Sequence, residues 1–242
     1  MDKPSINIEA KDVEGKALEI VFREGEALPL LPKKPSNYKT VINGPVSYIS
    51  NRMGFMDPSV ASLSFSIEKR IITFTEDDKS QESNIVTGSL IESKTLEMLK
   101  INSESRYGAV KLAKHLKRFR SYFVDSDVFN ELHSKLSSFS AKVNSLIEQA
   151  NNQRGKTKDN LEREVNADLP SCFYLSIPLF KGEKHVEIEV ELCYDATSDG
   201  VDFYLESIHL LDMIDQLSEK IIRDQITDFK KIGFDCALIE LH

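Results

Sequence analysis

Cysteine is scarce in this chain. Cys172, Cys193 and Cys236 are the only three in 242 residues. An odd number at wide spacing excludes both a disulfide framework and a C-x-x-C zinc pattern. Long apolar runs are also missing: no stretch approaches the ~18 residues that a membrane helix needs. Met1 to Ile20 carry scattered charges and no apolar h-region of the kind a secretory signal requires. The expectation is therefore a soluble, reduced protein of the cytoplasm, without a membrane partner.

Catalytic signatures are missing too. Gly155-Lys156-Thr157 imitates the end of a phosphate-binding loop, but the glycine needed five positions earlier is Ala150, on a predicted helix. No serine sits in a G-x-S-x-G elbow. The five histidines, His115, His133, His185, His209 and His242, have no H-x-x-x-H or C-x-x-C partners, so metal ligation by them is not expected. Nothing in these patterns asks for a cofactor.

What the chain does have is material for a core. Hydrophobic residues make up 40% of it, with 13 Phe, and charged residues make up 29%. That excludes a disordered polar chain, and the length suits one large domain or two small ones. Leu63, Phe65 and Ile67 alternate with serines, and Ile72 and Phe74 with threonines; period-two alternation on both sides of Glu68-Lys69-Arg70 predicts a hairpin. Strands are also expected over Ala17 to Arg23, Tyr38 to Ile42 and Ile85 to Ile91, the last with Gly88 as a bulge. Ala27 to Pro35 is too rich in proline for regular structure, and Gly44-Pro45 opens a helical turn.

The period then changes. Ala109, Leu112, Leu116 and Phe119 share one face of a helix over Tyr107 to Arg120. Asp125-Ser126-Asp127 supplies N-cap oxygens for the next helix. There Phe129, Leu132, Leu136, Phe139, Val143 and Leu146 repeat at spacings of three and four, as a coiled-coil seam does. This seam is a candidate for self-association into a homo-oligomer, with residues 127–152 as a projecting arm. Cys172 to Leu179, Val186 to Tyr194 and Val201 to Ser207 predict an antiparallel meander with tight connections at Lys181-Gly182-Glu183 and Ser198-Asp199-Gly200. An amphipathic helix with Leu210, Ile214, Leu217, Ile221 and Ile222 inward ends at Gly233, and Cys236 to Leu241 adds a last strand. Strands gathered before and after a helical middle favour an α+β fold. One domain is expected over 1–242, β-rich in 1–92, helical in 93–165, and a meander plus helix in 166–242.

Charge is distributed unevenly. The net charge is −8. Yet Arg106, Lys111, Lys114, Lys117, Arg118 and Arg120 put six bases and no acid between positions 106 and 120, and Tyr122 and Phe123 follow. Basic side chains neutralise phosphates, and aromatics stack on unpaired bases, so this segment is the candidate surface for single-stranded nucleic acid or an acidic protein partner. The competing reading makes Phe119 and Phe123 core anchors and pairs the bases with acids of this chain or of a neighbouring subunit. Such acids exist: Glu183 to His242 hold fifteen against five Lys or Arg. Glu187, Glu189 and Glu191 alternate with apolar residues, which is the signature of a solvated strand face more than of a cation site. Asp78, Glu92 and Lys94 imitate the acidic residue and E-x-K of a Mg²⁺-dependent nuclease, a pattern that is easily met in so charged a chain.

Several strings form a recognisable set. They are Leu116 to Arg120 with Tyr122-Phe123, Phe139 to Val143, Leu169-Pro170 with Phe173, Ile177 to Gly182, and Val201 to Ser207. In this order they resemble the YfdQ-like family of tailed-phage and prophage proteins, most clearly across Arg106 to Leu211. The long polar connection from Asn151 to Asn160 departs from that pattern. The resemblance implies a phage-encoded protein in the bacterial cytoplasm, its gene lying among early phage genes near recombination and single-strand-binding functions; it brings no catalytic residues. The expected function is that of a non-enzymatic accessory protein that binds a phage or host DNA-metabolism protein or single-stranded nucleic acid. The alternatives are a Mg²⁺-dependent nuclease and an antagonist of a host defence protein.

Overall fold

Period-two alternation builds two sheets, and the helical stripes cover them. The computed structural model describes residues 35–80, 82–151, 169–197 and 200–241, without the side chains of 140–151, 197 and 200. The expected strand at Ala17 to Arg23, most of the proline-rich stretch, the polar connection after Asn151 and the Ser198-Asp199 turn lie outside the described residues. Pro35–His242 is one compact unit, and its class is α+β.

The first sheet runs β1 (Asn37–Val41), β4 (Ile85–Ser89), β3 (Ile71–Thr75), β2 (Ser62–Ser66), β9 (Ala237–Glu240) in spatial order. β2 and β3 form the expected hairpin, and β4 extends it antiparallel, Leu63 facing Phe74 and Phe74 facing Val86. β1 joins β4 in parallel, and β9 joins β2 in parallel with Ser62 opposite Ala237. One face carries the buried Leu63, Phe65, Ile72, Phe74 and Val86; the other carries serines and threonines. Pro45 at the start of α1 (Gly44–Arg52) lacks only a donor that a first turn leaves unused. α1 buries Val46 and Ile49 beside this sheet. Gly88 is not a bulge: Thr40, Gly88 and Ile72 stay in continuous register. Its lack of a side chain serves close approach, since a Cβ there would meet Pro45 Cδ at 2.7 Å and the Val41 carbonyl oxygen at 2.8 Å.

The second sheet has the order β5 (Tyr107–Gly108), β8 (Gly200–Glu206), β7 (His185–Thr197), β6 (Cys172–Pro178), all antiparallel. Gly182, at φ +86°, makes the turn between β6 and β7. Its inner face buries Phe173, Leu175, Ile177, Ile188, Val190, Phe203 and Leu205. α3 (Ala109–Lys117) and α4 (Ser126–Asn151) pack there. Asp125 caps α4 by accepting the Asp127 N–H at 2.7 Å. A short helix absent from the sequence reading, α2 (Lys94–Leu99), is capped by buried Ser93, whose hydroxyl accepts the Leu96 N–H and donates to the Pro178 carbonyl. α5 (Leu210–Ile232) buries Leu210, Ile214, Ile221, Ile222, Ile226 and Phe229, and ends at Gly233 with φ +75°.

The seam of α4 is used within the chain. Phe129, Leu132, Leu136 and Phe139 are buried, Phe129 edge-on to Phe123 at 5.1 Å and Phe139 edge-on to Phe203 at 5.5 Å. An apolar stripe packs on whatever sheet or helix is nearest, and here that is α3 and β8. From Asp127 to Phe139 the helix therefore lies on the body and does not stand off as an arm. Val143 and Leu146 lie outside the described side chains.

Candidate functional site

The basic segment divides into two parts. On α3, Ala109, Leu112, Ala113 and Leu116 are buried as one stripe. At 100° per residue, Lys111, Lys114 and Arg118 fall on the opposite side. All three are exposed, as are Lys117 on the flank and Arg120 on the single 3-10 turn Arg120–Tyr122. The position is favourable for the helix itself, because cations in its last turn face the negative end of the macrodipole. Among the described residues none of these five bases is in an ion pair; Arg120 lies over the Phe129 ring at 5.5 Å. Arg106 is separate. Its Nε reaches Asp195 Oδ2 at 3.2 Å and its guanidinium stacks 3.8 Å from the Tyr204 centroid, on the outer face of the second sheet.

The aromatics near these bases are structural. Phe119 and Phe123 are buried, and Phe123 stacks on Phe173 at 5.0 Å. Tyr122 is half-buried, with its hydroxyl 3.3 Å from Thr95 Oγ1 and its ring tilted against His185. The α3 surface is thus a field of charge without a stacking platform.

His115 is half-buried between the two faces of α3. Its Nε2–H donates to the Leu99 carbonyl at 3.2 Å, and its ring stacks on Tyr107 at 4.9 Å. Burial holds its pKa below the ordinary histidine value, against the opposing Leu99 hydrogen bond, and the charge of Arg118 lowers it further.

The structure does not bring the nuclease residues together. β3 and β4 pair from Thr75–Ile85 at one end to Ile71–Ser89 at the other. Asp78 lies beyond the first end, where it accepts the Ser62 hydroxyl at 2.6 Å. Glu92 lies beyond the second, 3.5 Å from Arg70. Four strand steps of about 3.3 Å put at least about 13 Å between them. Lys94 begins α2 and is exposed. Among the described residues no group of three His, Cys, Asp or Glu is placed to hold a metal ion.

The outer face of the second sheet is acidic. Glu187, Glu189, Glu191 and Asp195 on β7 are joined by Asp202 and Glu206 on β8. Register sets Glu191 opposite Glu206 and Asp195 opposite Asp202. The sequence marked the three glutamates as a solvated face. The expected meander already set β8 beside β7; that Asp202 and Glu206 extend the acidic face follows from the register. All three cysteines are free, and none is fully buried. Burial, then Glu206 and Glu191, push the Cys193 thiol up to about 11. No described helix is long and apolar enough to cross a membrane.

Fold and surface together define an α+β protein with a basic helix face and an acidic sheet face. No protein-family model matches this chain, and neither a curated protein nor a solved structure does.

Proposed function

We propose that this is a non-enzymatic accessory protein of the phage or prophage kind, which holds single-stranded nucleic acid against the exposed face of α3 in the bacterial cytoplasm, in support of phage recombination or replication. One observation carries the reading: Lys111, Lys114, Lys117, Arg118 and Arg120 are exposed and outside any ion pair among the described residues, in a chain whose net charge is −8. Cations in such a setting gain by meeting phosphates and releasing their counterions. The acidic outer face of the second sheet repels a polyanion and so confines it to the α3 side. With the neighbouring aromatics engaged in packing, contact is to the backbone, and little sequence preference is expected.

The test is fluorescence anisotropy with labelled single-stranded oligonucleotides across a salt series. Five phosphate contacts on a single strand give a log–log slope of about −3.5. Lys114→Glu with Arg118→Glu is expected to abolish binding. No binding to the unaltered protein at low salt would remove nucleic acid as the ligand. Co-purification of a phage or host DNA-metabolism protein or defence protein, lost in the same variant, would then assign the face to an acidic protein partner.

A further inference from the structure

The outer face of the second sheet holds a charge arrangement that a lone molecule leaves unresolved. Like charges directly opposite one another destabilise a strand pair, yet the face sets Glu191 against Glu206 and Asp195 against Asp202. Arg106 answers Asp195. For Glu187, Glu189, Glu191, Asp202 and Glu206, no cation among the described residues comes within ion-pair distance. Tyr174 on β6 shares the face, 46% exposed, and the Glu189 charge beside it holds its hydroxyl above the ordinary tyrosine pKa. A groove of about 690 Å³ opens on this face, with Cys172, Glu189, Glu191 and Tyr204 in its walls. A lysine or arginine side chain can enter such a space lengthwise.

The dense cationic face of this chain lies on the other side of the same layer. α3 packs toward the inner face of the sheet, beside β5 and β8, and turns Lys111, Lys114 and Arg118 away from it. It cannot reach around its own sheet to the carboxylates. The dimensions nevertheless match. Lys111 to Arg118 span about 10 Å at 1.5 Å per residue. Glu187 to Glu191 span about 13 Å along β7, and β8 lies about 5 Å to one side.

We infer that the acidic outer face of the second sheet receives the basic face of α3 from a second copy of this chain. The two patches differ, so the contact is head to tail: each molecule that docks leaves its other patch unused, and the assembly grows as an open chain or closes as a ring. The inference stands apart from nucleic-acid binding, because it needs only the two faces. Where both hold, nucleic acid and the neighbouring copy compete for α3.

Sedimentation velocity of the full chain across a concentration series tests it. At 50 mM salt, species heavier than the 27.4 kDa monomer are expected to grow with concentration; at 0.5 M salt the monomer alone is expected. Glu189→Lys with Glu206→Lys, and separately Lys114→Glu with Arg118→Glu, should each return the low-salt sample to monomer. Mixing the two variants should restore association, since the unaltered α3 face of the sheet variant can dock on the unaltered acidic sheet of the helix variant. All four positions are exposed, and far-UV circular dichroism verifies that both variants fold. A monomer at every concentration at low salt overturns the inference, as does association that survives either variant. The sheet variant leaves α3 intact and should still bind nucleic acid, so failure of one reading is distinguishable from failure of the other.

Discussion

At the scale of single residues, His115 couples the stability of the fold to the charge on α3. Burial disfavours its cation in the folded protein, and Arg118 adds to that effect. Its folded pKa is therefore below that of the unfolded chain, about 6.5. As pH falls through 6.5, the unfolded chain takes up the proton first, and folding loses stability. The His115 contribution is complete above the unfolded value and declines until pH has passed the folded one. Urea midpoints at pH 7.5 and 5.5 are expected to drop further for the unaltered protein than for His115→Gln. Only part of this was legible beforehand. The stripe Ala109, Leu112, Leu116 gave the inner face of α3, and His115 lies at its margin by spacing alone. The carbonyl it bonds comes from Leu99, on a six-residue helix too short to leave a periodic signal. The nuclease pattern was misleading for a related reason: adjacency in sequence around a hairpin says nothing about which end of the hairpin a residue lies on.

At the scale of elements, the crossing of β1, α1 and β4 depends on one missing methyl group. A Cβ at Gly88 would meet ring carbon of Pro45 and two backbone carbonyl oxygens, Val41 and Ile42, all within 2.9 Å. None is the flexible end of a side chain, so the strand has to shift. Gly88→Ala is expected to destabilise by about 1–3 kcal/mol, read as a lower denaturant midpoint with the same slope. The glycine was conspicuous in the sequence, yet its role was not, because a bulge and a close approach ask for the same residue. Hairpins and meander were legible wherever alternation was strict, as in Ser62–Ser66 and His185–Thr197. The parallel partners of β2 and β4 were not. Each depends on a strand brought in by a helix from elsewhere in the chain, and β5 is only two residues long.

At the scale of the molecule, the described buried residues form one hydrophobic cluster that includes Ile49 and Phe74 on the first sheet and Leu132 and Phe203 on the second. Arg70 adds a polar tie, reaching Asp215 on α5 at 2.9 Å while its guanidinium lies over Phe180. A shared core predicts cooperative loss. Tyrosine fluorescence and far-UV circular dichroism are expected to report coincident unfolding transitions, whereas two resolved steps would show that the sheets come apart separately. The α+β class was visible in the grouping of strands around a helical middle. The opposition of the two charged faces was not, since it follows from which side of the second sheet α3 takes.

The pairing of Ser62 with Ala237 has a consequence for how the molecule is made. A ribosome releases β2 long before it releases β9. Until β9 emerges, the outer edge of β2 offers free backbone donors and acceptors, with Leu63 and Phe65 beside them, to any extended segment nearby. Edges of this kind invite mispairing. Completion of the first sheet waits for a segment far along the chain from β2, which makes β9 the late strand of folding and slow closure its expected signature.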